Sequence, residues 1–384
     1  MPLPVPERCL SAVSVGPSVF VDRVSMDLAT AQLFRTAVAG LGGRARRELV
    51  AIRDVLVRSF PGAGIVLTGS FFAGEGSIRC EAGEPRILSD YDFFVVSPSL
   101  IATCACLAGR RLADSMSRLP PLSTRLEIGL VWEPLLRCGQ TTIGGAVVGG
   151  RDLGPLLTQL PAPSAHGALL QAYRALTAAP LYPERYAWLC SKGVARAAHA
   201  FLLDRRRGLQ RHAWIGLSSV PYVKAAILSY AGLLGAETVR AVAQACDFIE
   251  GADEAAPVRA DHASLAALVG RMAEQVATGP SRLFALKHFF WLCRERRSGF
   301  PRSDAGVLIL RGLRALAEGW SQGPVPAAAA LETAAEAARG ICFAGTGRLV
   351  SDRLAAYVQL RRILSSLADF KPHALSYGPP ALIP

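Results

Sequence analysis

The chain has 384 residues, a formal net charge of +12 and a hydrophobic content of 51%. This length allows two domains with cores of their own, and the longest apolar runs stop at about a dozen residues, against the roughly 20 that a membrane-spanning helix needs. Because the N-terminus lacks a basic start followed by an apolar core, and the nine cysteines include no C-x-x-C pair, neither a secretory signal nor a zinc site is predicted. We therefore expect a cytoplasmic protein that does not enter membranes. Arginine supplies most of the positive charge, which fits a polyanionic partner such as a nucleoside triphosphate or RNA, and fits the composition of a GC-rich genome equally well.

The first predicted elements lead to a turn suited to an anion. A helix predicted over about 44–59 precedes the apolar run 65–68, which predicts a buried strand ending at Gly69 and Ser70. Free backbone N–H groups in such a turn bind phosphate well. Gly69 and Ser70 are therefore candidate nucleotide-binding residues.

Two carboxylates stand two residues apart just before the next apolar run, 93–96. Because strand side chains alternate between faces, Asp90 and Asp92 are expected to point one way and Tyr91 the other. Neighbouring acids repel each other unless a divalent cation lies between them, and Mg²⁺ is commonly held by one or two carboxylates together with substrate phosphates. An Asp-x-Asp pair also arises by chance in solvated turns, but beside a buried strand unpaired carboxylates would be costly to desolvate. The pattern favours a metal site.

A small mixed sheet is predicted from the next elements. The segment 71–89 contains a hairpin turn at about 80–85, and a helix is predicted from Ser97 to about residue 119. A further acid, Glu127, then interrupts an apolar strand pattern. A helix that crosses between two strands of similar apolar character indicates a mixed sheet with helices on one side.

Helical periodicity dominates after the Pro-Ala-Pro-Ser sequence at 161–164, which is the best candidate for a domain boundary. The helix predicted from about Pro183 carries Lys192, Arg196 and His199 on one stripe. Farther on, the segment 281–297 interleaves aromatic and basic residues, a pattern that binds nucleic acid by stacking but more often forms a helical core.

The apolar strand ending in Gly-Ser, the Asp-x-Asp between apolar residues and the later acid resemble the signature of the DNA polymerase beta-like nucleotidyltransferases. The resemblance covers residues 1 to about 155, and the spacer 71–89 is longer than is usual in that family. It implies an α+β protein, with a nucleotidyltransferase-fold catalytic domain over 1–160 and an all-helical domain over 161–384. A nucleoside triphosphate, ATP among the candidates, would bind in the cleft between them.

The same resemblance assigns roles to the candidate residues. It implies that Asp90 and Asp92 bridge two Mg²⁺ ions, for which Mn²⁺ can substitute, and that Glu127 binds the ion nearer the attacking group. Gly69 and Ser70 would bind the terminal phosphates. Helical domains of this superfamily close over the triphosphate with a basic residue, and Lys192 is the candidate here; a solvated basic face is the alternative for its stripe.

The implied activity is transfer of a nucleoside monophosphate from the triphosphate to an acceptor, with release of pyrophosphate. The sequence leaves the acceptor open among a small molecule, a second nucleotide, an RNA end and a protein hydroxyl. Two alternatives to an enzyme are left open. One is a catalytically silent nucleotide-binding or regulatory protein on the same fold, and the other is an RNA-binding helical protein whose N-terminal domain is only a scaffold.

Overall fold

The computed structural model describes residues 25–34, 40–76, 78–81, 84–87, 89–99, 114–137, 143–157, 165–205, 220–250, 261–276, 305–320, 323–341, 351–368 and 375–377. These residues form an α+β protein that divides into two compact units. The sheet unit contains the described residues of 19–162 together with 375–377, and the helical unit contains the described residues of 163–370. The expected boundary at 160–161 lies beside this division.

A five-stranded mixed sheet forms the centre of the sheet unit. The described strands of the whole unit, which include a separate two-stranded pair, are β1 (Gly64–Thr68), β2 (Ile78–Glu81), β3 (Glu84–Ile87), β4 (Tyr91–Ser97), β5 (Leu126–Trp132), β6 (Gly145–Gly150) and β7 (Leu375–Tyr377). The order in the sheet is β6-β1-β4-β5-β7. Strands β4 and β5 are parallel, and the other neighbours are antiparallel. The strands β2 and β3 pair with each other, which confirms the hairpin predicted within the long spacer.

Strand β7 was not expected, because an all-helical domain is predicted for that part of the chain. Its three residues pair with Leu126, Glu127 and Ile128 of β5. Backbone N–H and C=O groups at an open sheet edge can pair with a short segment of almost any sequence. Such a segment need not show the periodicity from which strands are predicted.

Four of the described helices lie in the sheet unit, and those from residue 165 onward form the helical unit. They are α1 (Leu41–Ser59), α2 (Gly69–Ala73), α3 (Glu133–Arg137), α4 (Gly154–Leu157), α5 (Ala165–Ala178), α6 (Tyr186–Asp204), α7 (Val220–Ile227), α8 (Ala231–Leu234), α9 (Ala236–Glu250), α10 (His262–Glu274), α11 (Ala305–Glu318), α12 (Ala328–Ile341) and α13 (Arg353–Ala368). The helix predicted over 44–59 is therefore confirmed, with its start three residues earlier. Most of the helix predicted after Ser97 lies outside the described residues.

The two faces of the sheet bury different side chains. Leu49, Ile52 and Leu56 of α1 pack with the alternate strand residues Ile65, Leu67, Tyr91, Phe93, Val95, Leu126, Ile128 and Leu130. The intervening positions form a smaller cluster on the opposite face, which includes Val66, Val96, Val131 and Val147. Since side chains alternate along a strand, Asp92 and Glu127 belong to this second face, together with Thr68.

The helical unit has an extensive core. Helix α5 packs against α6, α11 and α13. The buried residues of α6 include the small residues Gly193, Ala197 and Ala198. Across the described residues, no helix is both long and apolar enough to cross a membrane.

Candidate functional site

The turn that follows β1 forms the first part of the candidate site. All five residues of β1 are buried, and the chain enters the single turn of α2 at Gly69 with a φ of +71°. Glycine adopts this backbone conformation without the steric penalty of a side chain. A buried strand therefore delivers Gly69 and Ser70 to a turn, as the sequence predicts.

The carboxylate of Asp92 lies directly against Gly69. Thr68, the last residue of β1, is in register with Asp92 on β4. A Cβ atom at position 69 would overlap Asp92 Oδ2 and lie 3.2 Å from Asp92 Cγ. Glycine is thus required at position 69 both by its backbone conformation and by the space that Asp92 occupies.

Strand pairing brings a second carboxylate beside the first. Asp92 and Glu127 are in register on the parallel strands β4 and β5, and both are half-buried. Arg125 Nη2 lies 3.5 Å from Glu127 Oε1, with 25% and 18% of the two side chains exposed. Like charges directly opposite each other destabilise a sheet, and Arg125 offsets part of that repulsion.

Asp90 lies immediately before β4 and is also half-buried. The core position of Tyr91 agrees with the expectation that Tyr91 faces away from Asp92. However, the described residues contain no group of three or more His, Cys, Asp or Glu side chains placed to hold a metal ion. The register thus pairs Asp92 with Glu127, but Asp90 does not join them in a ready three-carboxylate group.

Apolar packing surrounds the carboxylates on their own face of the sheet. In the next pair of β4 and β5 on this face, the ring of Phe94 covers Gly129, where a Cβ atom would overlap the ring. One pair farther on, Val96 and Val131 are buried in the smaller cluster. The acids therefore stand at the polar end of an otherwise apolar face, where electrostatic interactions are stronger than in water.

A buried acid on the opposite face fixes the start of β4. Glu48 of α1 accepts hydrogen bonds from Tyr91 Oη (3.0 Å), Ser123 N (2.9 Å) and Ser123 Oγ (2.7 Å). Burial strongly raises the pKa of Tyr91, so its phenol stays protonated and serves as a donor. The ring of Phe71, in α2, packs on the Tyr91 ring with centroids 4.9 Å apart. Tyr91 thus anchors both the β4 start and the turn at Gly69.

The remaining predicted site residue, Lys192, lies on α6 of the helical unit. Its Nζ stands over the Trp188 ring, 4.3 Å from the centroid, and the side chain is half-buried. His199 of the same stripe is buried, so the stripe is not a uniformly solvated basic face. The aromatic and basic segment 281–297 lies outside the described residues.

Sequence reasoning missed two residues, Arg125 and Glu48, and one contact that shape the site. Arg125 stands two residues before Glu127, a spacing that places both on one face of a strand and would have indicated the ion pair. Glu48 interrupts the apolar stripe of α1, as Glu127 interrupts an apolar strand. The overlap of Gly69 with Asp92 carried no signal, because it depends on the pairing of β1 with β4.

Comparison of the chain with protein-family models, with curated proteins and with solved structures found no significant match.

Proposed function

We propose that the chain is a metal-dependent nucleotidyltransferase, which moves a nucleoside monophosphate from a nucleoside triphosphate to an acceptor group. The observation that carries this proposal is the meeting of Asp92, Glu127 and the Gly69 turn at one end of three adjacent strands. An anion-binding turn beside two carboxylates suits a substrate that combines phosphates with a bound cation. The resemblance of the sequence pattern to polymerase beta-like enzymes agrees with this assignment.

The residues present fit Mg²⁺ held jointly with a substrate. Asp92 and Glu127 are hard oxygen ligands at neighbouring positions, and Mg²⁺ sites that use one or two carboxylates are completed by phosphate oxygens and water. Asp90, one residue before β4, would join such a site once the substrate is bound. When bound, the cation would neutralise phosphate charge during the transfer.

The protein groups would divide the chemistry between binding and proton transfer. The backbone of Gly69 and Ser70 would hold the terminal phosphates, so that the pyrophosphate leaving group stays oriented. An acceptor hydroxyl would attack the α-phosphorus, forming a new P–O bond as the bond to pyrophosphate breaks. Glu127 would accept the hydroxyl proton, and Arg125 would hold the Glu127 carboxylate in position. The role predicted for Lys192 at the triphosphate remains part of this proposal.

The ion pair between Arg125 and Glu127 favours a second candidate function. The guanidinium group of Arg125 competes with a cation for the carboxylate oxygens of Glu127. A protein that binds nucleotide through Asp92 and the Gly69 turn, without transferring it, would be compatible with this contact. Such a protein would use nucleotide binding as a signal.

Incubation with nucleoside triphosphates labelled at the α-phosphate, Mg²⁺ or Mn²⁺ and a broad acceptor panel tests the proposal. We expect label in a product with the wild type and with Asp114→Asn, a change at an exposed acid of the sheet unit. Asp92→Asn should abolish labelling. Glu127→Gln should keep nucleotide affinity within a few-fold and slow transfer by about a hundred- to ten-thousandfold, the usual contribution of a general base.

One result would refute the site, and another would refute the enzyme assignment. If Asp92→Asn transfers label as fast as the wild type, the carboxylates do not form the site. If the wild type binds the nucleotide but labels no product, and Glu127→Gln changes neither property, the regulatory function is supported instead.

A further inference from the structure

The ring of Phe94 lies on the same face of the sheet as the carboxylates of the candidate site. Phe94 follows Asp92 by two residues on β4, and Gly129 follows Glu127 by two residues on β5. Side chains two residues apart on a strand point the same way, and their positions are about 6.6 Å apart along the strand. An aromatic surface therefore stands next to the carboxylates.

The glycine at position 129 determines where the Phe94 ring lies. The two residues are in register on the parallel strands β4 and β5. A Cβ atom on Gly129 would overlap Phe94 Cε1 and lie 2.6 Å from Phe94 Cδ1, so the ring fills the space that a side chain of β5 would occupy. Because β1 is on the other side of β4, the ring extends away from β1 and its Gly69 turn. Its position is defined before any ligand binds.

Phe94 is more exposed than its apolar neighbours on this face. Val66 on β1, Val96 on β4 and Val131 on β5 are buried, whereas Phe94 is half-buried and packs at the border of their cluster. Sites for small molecules combine apolar and aromatic walls with a few polar groups that orient the ligand. A partly accessible ring beside two carboxylates has this composition.

The mechanism proposed above assigns the two sides of the site to different substrates. The Gly69 turn, at the end of β1, would hold the terminal phosphates, and Glu127, on β5, would accept the proton of the attacking hydroxyl. Since the Phe94 ring extends towards β5, it lies on the side of the acceptor and not on that of the leaving pyrophosphate. A flat unsaturated ring stacks well on such a surface.

We propose that Phe94 determines acceptor specificity by stacking on a planar ring that the acceptor carries next to its hydroxyl, as a nucleoside does. One sugar separates the hydroxyl of a nucleoside from its base, which suits the two-residue spacing between the acids and Phe94. This inference rests on the proposed transferase function and names its acceptor class. The hydroxyl oxygen would form the new bond to the α-phosphorus as the bond to pyrophosphate breaks, and its proton would pass to Glu127. The product is then a phosphodiester.

The transfer assay with label at the α-phosphate tests this inference on the full chain. The acceptors are a nucleoside monophosphate, a short single-stranded RNA and glycerol, which has hydroxyl groups but no ring. Phe94→Leu removes the aromatic face, and Gly129→Ala keeps the ring but displaces it, because the new methyl group overlaps it. Trp132→Leu is the matched control, since Trp132 is a half-buried aromatic residue of the same sheet on its other face.

We expect the KM for the ring-bearing acceptor to rise roughly five- to hundredfold in Phe94→Leu and in Gly129→Ala, the range that stacking of one base on an aromatic side chain gives. The KM for the triphosphate should stay within a few-fold, and Trp132→Leu should change neither value. Phe94→Tyr restores a ring and should restore most of the acceptor affinity. Faster labelling of the monophosphate assigns the nucleoside to a free nucleotide, and faster labelling of the RNA assigns it to an RNA end. Cooperative urea unfolding shows that each variant is folded.

The acceptor assignment and the transferase function fail in different ways. If the wild type labels glycerol as readily as the two ring-bearing acceptors, or if the acceptor KM is the same in Phe94→Leu and the wild type, the assignment is overturned while the transferase function stands. A rise in the KM for the triphosphate alone would place the base of the triphosphate on the ring, which also overturns it. If the wild type labels no acceptor, the transferase function fails. Calorimetric titration with the monophosphate then decides the stacking site, which is overturned by equal affinity in Phe94→Leu and the wild type or by no binding.

Discussion

Replacement of Gly69 by alanine should destabilise the sheet unit through two separable effects. The first is backbone strain, because an alanine at a φ of +71° costs roughly 1–2 kcal/mol. The second is the overlap of the new methyl group with the Asp92 carboxylate. A side chain that must leave its preferred rotamer costs about 0.5–1.5 kcal/mol. The sum is a loss of roughly 1.5–3.5 kcal/mol in the free energy of unfolding.

A double-mutant cycle isolates the second effect. In an Asp92→Ala background the carboxylate is gone, so Gly69→Ala should cost only the strain of roughly 1–2 kcal/mol. The expected coupling energy is therefore about 0.5–1.5 kcal/mol. Gly62→Ala is the matched control, because Gly62 has a φ of +79° but no neighbouring atom within 4 Å of the position that a methyl group would occupy. Its cost should be the same in both backgrounds.

Urea denaturation of the wild type, the three single variants and the two double variants measures all of these free energies. The contact between Gly69 and Asp92 would be refuted if Gly69→Ala cost as much in the Asp92→Ala background as in the wild type. In that case Asp92 would not lie against the turn at Gly69, and the candidate site would lose the contact that joins its two parts. Coupling at position 62 as well as at 69 would show that Asp92→Ala perturbs the unit in general.

Two further predictions concern stability. Glu48→Gln should lower the free energy of unfolding by about 1.5–3 kcal/mol, because the charged Glu48 carboxylate accepts hydrogen bonds from three donors of Tyr91 and Ser123. In the same urea assay Arg44→Gln should cost less than about 1 kcal/mol, because Arg44, the ion-pair partner of Glu48, is 53% exposed. Equal costs of the two changes would contradict the role of Glu48. Burial lowers the pKa of His262 to about 4, so the imidazole binds a proton more tightly in the unfolded chain than in the folded one. The stability that follows from this difference is fully present above pH 6.5. It is lost as the pH falls towards 4, which lowers the free energy of unfolding by about 3 kcal/mol. Urea midpoints measured across this pH range should fall less in His262→Phe than in the wild type. If the midpoints of the two proteins fall in parallel, the lowered pKa of His262 is refuted.

Local sequence pattern determined the main elements of the sheet unit. The apolar runs 65–68 and 93–96 lie in β1 and β4, because buried strands require such runs. Alternation along β4 correctly placed Tyr91 away from Asp92. The turn at Gly69 was also evident, since glycine after a buried strand indicates a change of direction.

Tertiary structure alone decided which of these residues meet. The contacts of Asp92 with Gly69 and Glu127 follow from strand register, and Glu127 is 35 positions beyond Asp92 in the chain. Periodicity within one segment defines which face a side chain occupies, but not which residue of a distant strand lies beside it. The pairing of β7 with β5 and the packing of the Phe94 ring on Gly129 have the same origin. Each of these contacts depends on packing between segments far apart in sequence, so the pattern within one segment does not predict it.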